Sequence, residues 1–400
     1  MGIGDPMVDE KLAQVPAILK DLGIDAWLIF ARESGTLHDP CFDLVVGPNV
    51  TWQSAFLVTA SGERIAIVGS LDKPNQELHG HYPEVIGYVG GVTGDLCKVV
   101  RRLDPRRIAI NYSVDDTISD GLTHGMYLTL VKSLSGTPYA ERLESSGSVV
   151  SALRGRKSAG ERARIRAACE DTLGIFDRVT KRLKAGLTEK QVGAMIREEM
   201  AKVPGLGLAW EPEHCPGVFT GPESAGAHAG PTERTIQPGH IMNVDFGVRK
   251  DDYCSDLQRT WYFLRPGETV APDVVQRGFT TILESIRAAA GVLRPGVKGG
   301  DVDAVARSYI TDRGYPEYPH ALGHQIGRKA HDGAGLLCPR WERYGKLPEL
   351  PVEAGQCYTI EPRLPVEGHG IATCEDIVAV QADGVEWLSR PQERLYVVAG

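Results

Sequence analysis

The spacing of hydrophobic and polar positions changes several times along the chain, and each change predicts an element. Residues 8–22 (VDEKLAQVPAILKDL) place apolar side chains at helical intervals despite Pro16. A short apolar run from Ala26 to Phe30 reads as a strand. Residues 55–60 and 64–69 read as two more, and Ser61-Gly62-Glu63 between them predicts a hairpin. A further strand is expected at Arg107 to Asn111 and a helix near 118–134. This alternation predicts an α/β domain over residues 1–154.

Small polar residues at Ser145-Ser146-Gly147-Ser148 mark a change of composition, and a second domain is expected over 155–400. Ser158 has Glu161 three residues on, which predicts a capping box. The helix it opens should run to about 184 and close at Gly186. Thr188 opens a second helix to about 202. Strands are expected at 241–248, 256–264, 357–362 and 374–380, with helices near 273–293 and 301–313. A long helix followed by a strand set thus occurs twice, which hints at internal duplication. The expected class is α/β, in the α+β sense for the second domain, and 400 residues suit two cores.

Charge narrows the partners. A net charge of −8 argues against nucleic acid, whose phosphates need a basic face. No apolar run reaches membrane-spanning length, so no membrane partner is expected. The N-terminal residues lack a basic segment followed by an apolar core, so no secretory signal is expected, and Pro6 breaks the pattern for lipidation of Gly2. The eight cysteines (41, 97, 169, 215, 254, 338, 357 and 374) include no C-x-x-C pair. They read as reduced thiols of a cytoplasmic protein.

The candidate chemistry lies in the second half. Asp245 and Asp256 stand eleven residues apart with a turn-rich Arg249-Lys250-Asp251-Asp252 between them. Two strands joined this way bring both carboxylates to one end of a hairpin. His324 lies in a Gly-rich segment, and Glu361 and Glu375 each interrupt a strand-like apolar stretch. A carboxylate on a buried strand is costly unless it is paired or binds metal. Singly, each residue has a plainer reading: a cap, a loop histidine, a strand end. Together, four carboxylates and an imidazole suit two hard or borderline divalent ions better than one thiolate-held zinc. Two such ions turn a bridging water into a nucleophile near neutral pH. On the residues alone, a dinuclear site and a set of structural acids stand level.

The segment HALGHQIGRKAHD (320–332), after VDFG and SDLQRT and before TIEP and CEDIV, resembles the pita-bread metallopeptidases of family M24. That family includes methionine aminopeptidase, Xaa-Pro aminopeptidase, prolidase and creatinase. The order Asp, Asp, His, Glu, Glu matches, as do the eleven-residue Asp spacing and the seven-residue spacing from His324 to His331. The match covers about residues 155–400, and the first 150 or so resemble the N-terminal domain of prolidase, Xaa-Pro aminopeptidase and creatinase. Methionine aminopeptidases generally lack that domain.

The resemblance implies two divalent metal ions, manganese first, with cobalt or zinc as alternatives. It implies Asp245, Asp256, His324, Glu361 and Glu375 as ligands, with Asp256 and Glu375 bridging. It places Glu361 as general base, His228 and His331 against the substrate, and His320 as a third histidine near it. The expected activity is hydrolysis of the bond before proline in an Xaa-Pro dipeptide. The alternatives are an Xaa-Pro aminopeptidase acting on longer peptides and, further off, a creatinase-like hydrolase or a binding protein. A homodimer is implied as well.

Several positions depart from the family pattern. Thr373 stands where prolidases usually have Arg, Arg363 follows the Glu-Pro pair in place of Gly, and Arg328 and Ala330 replace aliphatic residues. A dipeptidase must recognise its substrate's C-terminal carboxylate, and arginine pairs with carboxylates in bidentate fashion. Arg328 and Arg363 are therefore candidate substrate-binding residues, with surface or subunit ion pairs as the alternative for each.

Overall fold

Asp5 sets the start of the first helix in this computed structural model, which describes residues 3–114, 116–224 and 230–399. Its carboxylate accepts from the Met7 amide at 2.9 Å, and Pro6, with no amide hydrogen to satisfy, takes the first helical turn. The helix Pro6–Leu22 therefore begins two residues before the apolar pattern does. It ends at Gly23, whose φ of 65° suits a residue without Cβ.

The chain forms two compact units, Met1–Arg154 and Gly155–Gly400. The first is built on a six-stranded sheet. Its strand order is Glu84–Tyr88, Arg64–Gly69, Ser54–Thr59, Ala26–Ala31, Ile108–Ile110, Leu143–Ser145. The two pairs around Ser54–Thr59 are antiparallel and the other three are parallel. Both faces are covered. Trp27 and Ile29 pack with Leu12 and Val15 of the first helix on one side. Leu28 and Phe30 pack with Val99 and Leu130 on the other. This two-sided burial explains strands that read as unbroken apolar runs.

The helix expected near 118–134 starts later. Asp116 captures a short 3-10 turn, accepting from Ile118 N at 3.0 Å and Ser119 Oγ at 2.8 Å. The α-helix then runs His124–Ser133 behind Thr123, whose hydroxyl accepts from Met126 N. Helices Lys73–His79 and Thr93–Leu103 and strand Glu84–Tyr88 have no counterpart in the sequence reading. That strand is only half-buried, so its alternation is weak.

In the second unit, Ser158 and Glu161 form the capping box in full, and the helix runs Ala159–Thr180. It stops short of 184 because the last amides bond three residues back, Arg182 N to Val179 O and Leu183 N to Thr180 O. Thr188 and Gln191 form a second capping box before Glu189–Ala201. A four-stranded sheet in the order Tyr396–Val398, Leu257–Phe263, Ile241–Phe246, Gly217–Thr220 packs with this helix pair. A second helix pair, Asp273–Val292 and Gly299–Thr311, has its own core with Ile360, Leu364, Val378 and Val380. Those residues come from the sheet of Cys357–Ile360, Asp376–Gln381 and Gly384–Trp387 and from Arg363–Val366. Among the described residues, no helix is long and apolar enough to cross a membrane.

Candidate metal centre

The two aspartates arrive on one hairpin. Strand Ile241–Phe246 pairs antiparallel with Leu257–Phe263, so that Asp245 faces Gln258 across the ladder and Asp256 immediately precedes the second strand. The chain between them folds into a smaller hairpin, Val248–Lys250 with Tyr253–Cys254. Its two-residue turn is Asp251-Asp252, at φ of 45° and 67°, the left-handed pair that a tight hairpin turn requires. Gly247 joins the two hairpins where a Cβ would lie 2.0 Å from the Ser255 carbonyl oxygen. The Asp245 and Asp256 carboxyls end within hydrogen-bonding reach of one another.

His324 is delivered by close backbone contact. Gly323–His324 pairs with Leu336–Leu337 on one side, and Glu361 N donates to Leu322 O at 2.7 Å on the other. A Cβ on Gly323 would sit 1.9 Å from Thr359 O, so only glycine lets these segments meet. Asp303 accepts from Leu322 N at 3.1 Å, and Arg307 donates to Tyr318 O and His320 O. Helix Gly299–Thr311 thus anchors the histidine segment.

Glu375 follows strand Gly370–Thr373 and precedes Asp376–Gln381. The fully buried Arg259 holds it in place, donating to Glu375 O and to Asp376 Oδ1, each at 2.8 Å.

All five expected ligands meet. Single donor atoms of Asp256, His324 and Glu375 lie within 4.8 Å of one another. His324 Nε2 is 3.7 Å from Asp256 Oδ2 and 3.4 Å from Glu361 Oε1. Burial pushes the Asp245 carboxyl up to about 7 against the hydrogen bond from Asp256. Burial, then repulsion from Glu375 and Asp245, pushes Asp256 well above the usual carboxylate range. Glu361 and Glu375 rise for the same two reasons, burial first and neighbouring carboxylates second. Among the described residues, the buried oxygens Asp245 Oδ1 and Glu375 Oε2 have no hydrogen-bond partner. Crowded acids with orphaned oxygens are costly alone and suit a shared cation. The donor set, oxygen-rich with one imidazole, fits a divalent ion of the manganese, cobalt or zinc type.

The remaining expected residues divide. The His331 ring stands edge-on to His324 with centroids 4.2 Å apart, at an exposed position. Its loop is tied down by the buried Lys157, whose Nζ lies 3.6 Å from Asp332 Oδ2. His228 lies outside the described residues. His320 turns to its own segment, with Nδ1 at 2.7 Å from Ala321 O and its ring 5.2 Å from Tyr318. The Arg328 guanidinium lies 5.6 Å from the Tyr253 ring and 3.9 Å from Asp252. Arg363 is half-buried opposite Thr373 in a two-stranded ribbon. Burial draws its pKa down and the charge of Glu361 opposes this, while among the described residues its guanidinium has no hydrogen-bond or ion-pair partner. Gln258 is a site residue that the sequence reading missed. It donates from Nε2 to Glu361 Oε2 at 3.1 Å. The available signal was its place two positions after Asp256 in an extended segment, which puts both side chains on one face.

The profile described as metallopeptidase family M24 matches residues 163–382. An uncharacterised peptidase of Staphylococcus saprophyticus is 28% identical over 388 residues, 95% of this chain and 99% of that protein. The X-Pro aminopeptidase of Thermotoga maritima superposes with a TM-score of 0.69 at 24% identity, over 97% of this chain and 99% of that one. The Xaa-Pro dipeptidase of Bacillus anthracis gives 0.72 at 22% identity, over 98% and 100%. At these identities the structural likeness is one of fold: an α/β unit followed by a pita-bread unit.

Proposed function

The chain belongs to metallopeptidase family M24, and on that footing we propose that it is a dinuclear-metal Xaa-Pro dipeptidase. Asp245, Asp256, His324, Glu361 and Glu375 would hold two divalent cations, with Asp256 and Glu375 shared between them. The orphaned oxygens of Asp245 and Glu375 support this reading. Bound there, the cations would polarise the scissile carbonyl and acidify a water.

The chain's own residues account for the rest. Glu361 takes a proton from the attacking water and passes it to the proline nitrogen as the C–N bond breaks. The water oxygen remains on the Xaa carbonyl carbon, which leaves as a carboxylic acid. His331, beside His324 at the exposed edge, donates to the carbonyl oxygen as charge develops, a contact worth about 3–4 kcal/mol in other enzymes. His228 shares this assignment by resemblance. Proline's nitrogen carries no hydrogen, so the site needs no acceptor there.

The observation that carries the dipeptidase reading is Arg363. A half-buried guanidinium beside Glu361, with no partner among the described residues, leaves a charge for the substrate's terminal carboxylate to offset. Arg328 is the weaker candidate, because Tyr253 and Asp252 already occupy its guanidinium. The fold neighbours are named for action on X-Pro or Xaa-Pro bonds, which favours proline as the second residue. The eight free thiols suit a cytoplasmic setting, and a homodimer follows from the resemblance.

The test is hydrolysis of Ala-Pro against Ala-Pro-Ala by metal-depleted protein, with and without added manganese. Manganese-dependent cleavage of Ala-Pro alone is expected. Cleavage of the tripeptide would make the protein an aminopeptidase, and cleavage of neither would remove the Xaa-Pro reading.

A further inference from the structure

Thr373 and Gln258 form a neutral relay onto Glu361. Gln258 pairs across the ladder with Asp245, so its side chain projects to the same face as that carboxylate. Its amide bridges two unlike partners. Nε2 donates to Glu361 Oε2 at 3.1 Å, and Oε1 accepts from Thr373 Oγ1 at 2.9 Å. Thr373 is itself buried: Thr260 Oγ1 donates to its carbonyl oxygen at 2.5 Å, and its one hydroxyl hydrogen is shared between Gln258 Oε1 at 2.9 Å and Pro362 O at 3.0 Å. The other Glu361 oxygen, Oε1, faces His324 Nε2 at 3.4 Å and Thr359 Oγ1 at 3.5 Å.

An amide has one donating and one accepting end, so a donor at the Thr373 side turns the NH2 toward Glu361. We propose that Gln258 and Thr373 are positioning residues: Thr373 orients the Gln258 amide, and the amide holds Glu361 Oε2 so that Oε1 is presented beside His324. This inference rests on the reading of Glu361 as a metal ligand. The relay also bears on Thr373, which stands where the prolidase pattern usually has arginine. A threonine and an amide hold the carboxylate without adding positive charge among the four acids, which keeps their full attraction for cations.

The experiment uses cobalt as both ligand and reporter. The full-length protein and the variants Gln258→Met, Thr373→Val and Thr373→Ser are loaded with Co2+, and the visible absorption bands are recorded with bound-metal content. Gln258→Met and Thr373→Val should shift the bands, and Thr373→Ser, which keeps the hydroxyl, should restore them. In parallel, kcat for Ala-Pro should fall about 10–100-fold in the first two variants with KM little changed, the range seen when a partner of a metal ligand is removed. Superimposable spectra for Gln258→Met and the unaltered protein overturn the relay, whatever the activity. If Gln258→Met does not fold, equal spectra for Thr373→Val and Thr373→Ser overturn it instead. No cobalt binding by the unaltered protein removes the metal reading and the relay together. Cobalt binding with shifted variant spectra but no Xaa-Pro cleavage supports the relay and removes only the substrate reading.

Discussion

His324 turns Nε2 to within 3.4 Å of Glu361 Oε1 while its Nδ1 faces the carbonyl oxygen of Gln325 at 3.2 Å. A carbonyl only accepts, so the proton belongs on Nδ1 and the Nε2 lone pair faces a carboxylate. Two electron-rich atoms are held this close only where a cation or a proton lies between them. The backbone around them leaves little freedom to separate.

That juxtaposition makes Asp256 the informative substitution. Its carboxylate stands next to His324 and hydrogen-bonds Asp245. Asp256→Asn should abolish both bound metal and Ala-Pro hydrolysis, measured by elemental analysis and product release. Full activity in the variant would sink the two-metal mechanism.

The metal-free protein should lose stability as pH rises. The Asp245 carboxyl titrates at about 7 in the fold, against roughly 3.9 unfolded. The fold therefore binds the extra proton across this window, and the contribution of this group to stability is full below about pH 4 and lost as the pH rises through about 7. Melting temperatures of chelator-treated protein should fall over that range. Saturating manganese should raise them at pH 7, since ligand bound only to the fold stabilises it. A flat profile without metal would contradict the buried acid cluster.

Arg363→Met keeps most of the side chain's length and removes its charge. KM for Ala-Pro should rise about 10–100-fold, the scale of a lost charge-assisted hydrogen bond or pair of them. The kcat should change less. An unchanged KM would transfer carboxylate recognition to another residue.

Gly323→Ala places a methyl where 1.9 Å separates it from Thr359 O. The histidine segment must move away from Glu361, with a stability loss of about 1–3 kcal/mol for overpacking. Metal affinity should fall with it, read by titration calorimetry. Unaltered affinity would show that His324 does not depend on this contact.

Lys157→Met breaks a pair whose side chains are 0% and 3% exposed. Removing the lysine leaves the buried Asp332 carboxylate its Arg328 amide donor but takes away this cation, at about 3–5 kcal/mol. Urea unfolding should show that loss, and adding Asp332→Leu should recover part of it. A loss below about 1 kcal/mol would place the pair with exposed ones.

The first-unit strands and the capping boxes at Ser158 and Thr188 were legible because their causes are local: periodicity, and hydrogen bonds spanning three residues. The helix expected near 118–134 was misplaced because Asp116 and Thr123 divide that stretch by side-chain capture, which apolar spacing does not record. The half-exposed strand Glu84–Tyr88 was invisible for want of alternation.

By itself, the sequence determined which residue types are available for metal and in what order, since acids inside apolar strands and the histidine spacing stand out along the chain. The composition change it shows at 145–148 falls inside the first unit, between strand Leu143–Ser145 and helix Gly147–Gly155, a few residues before the units divide. Only the tertiary structure decided how those residues are held. Gln258 meets Glu361 across 103 positions and Thr373 across 115, and Lys157 reaches Asp332 across 175. It also gave the two arginines different surroundings, leaving Arg363 without a hydrogen-bond or ion-pair partner among the described residues and placing Arg328 near the Tyr253 ring. Such contacts depend on where strands and loops cross in space, and local spacing carries no information about a crossing.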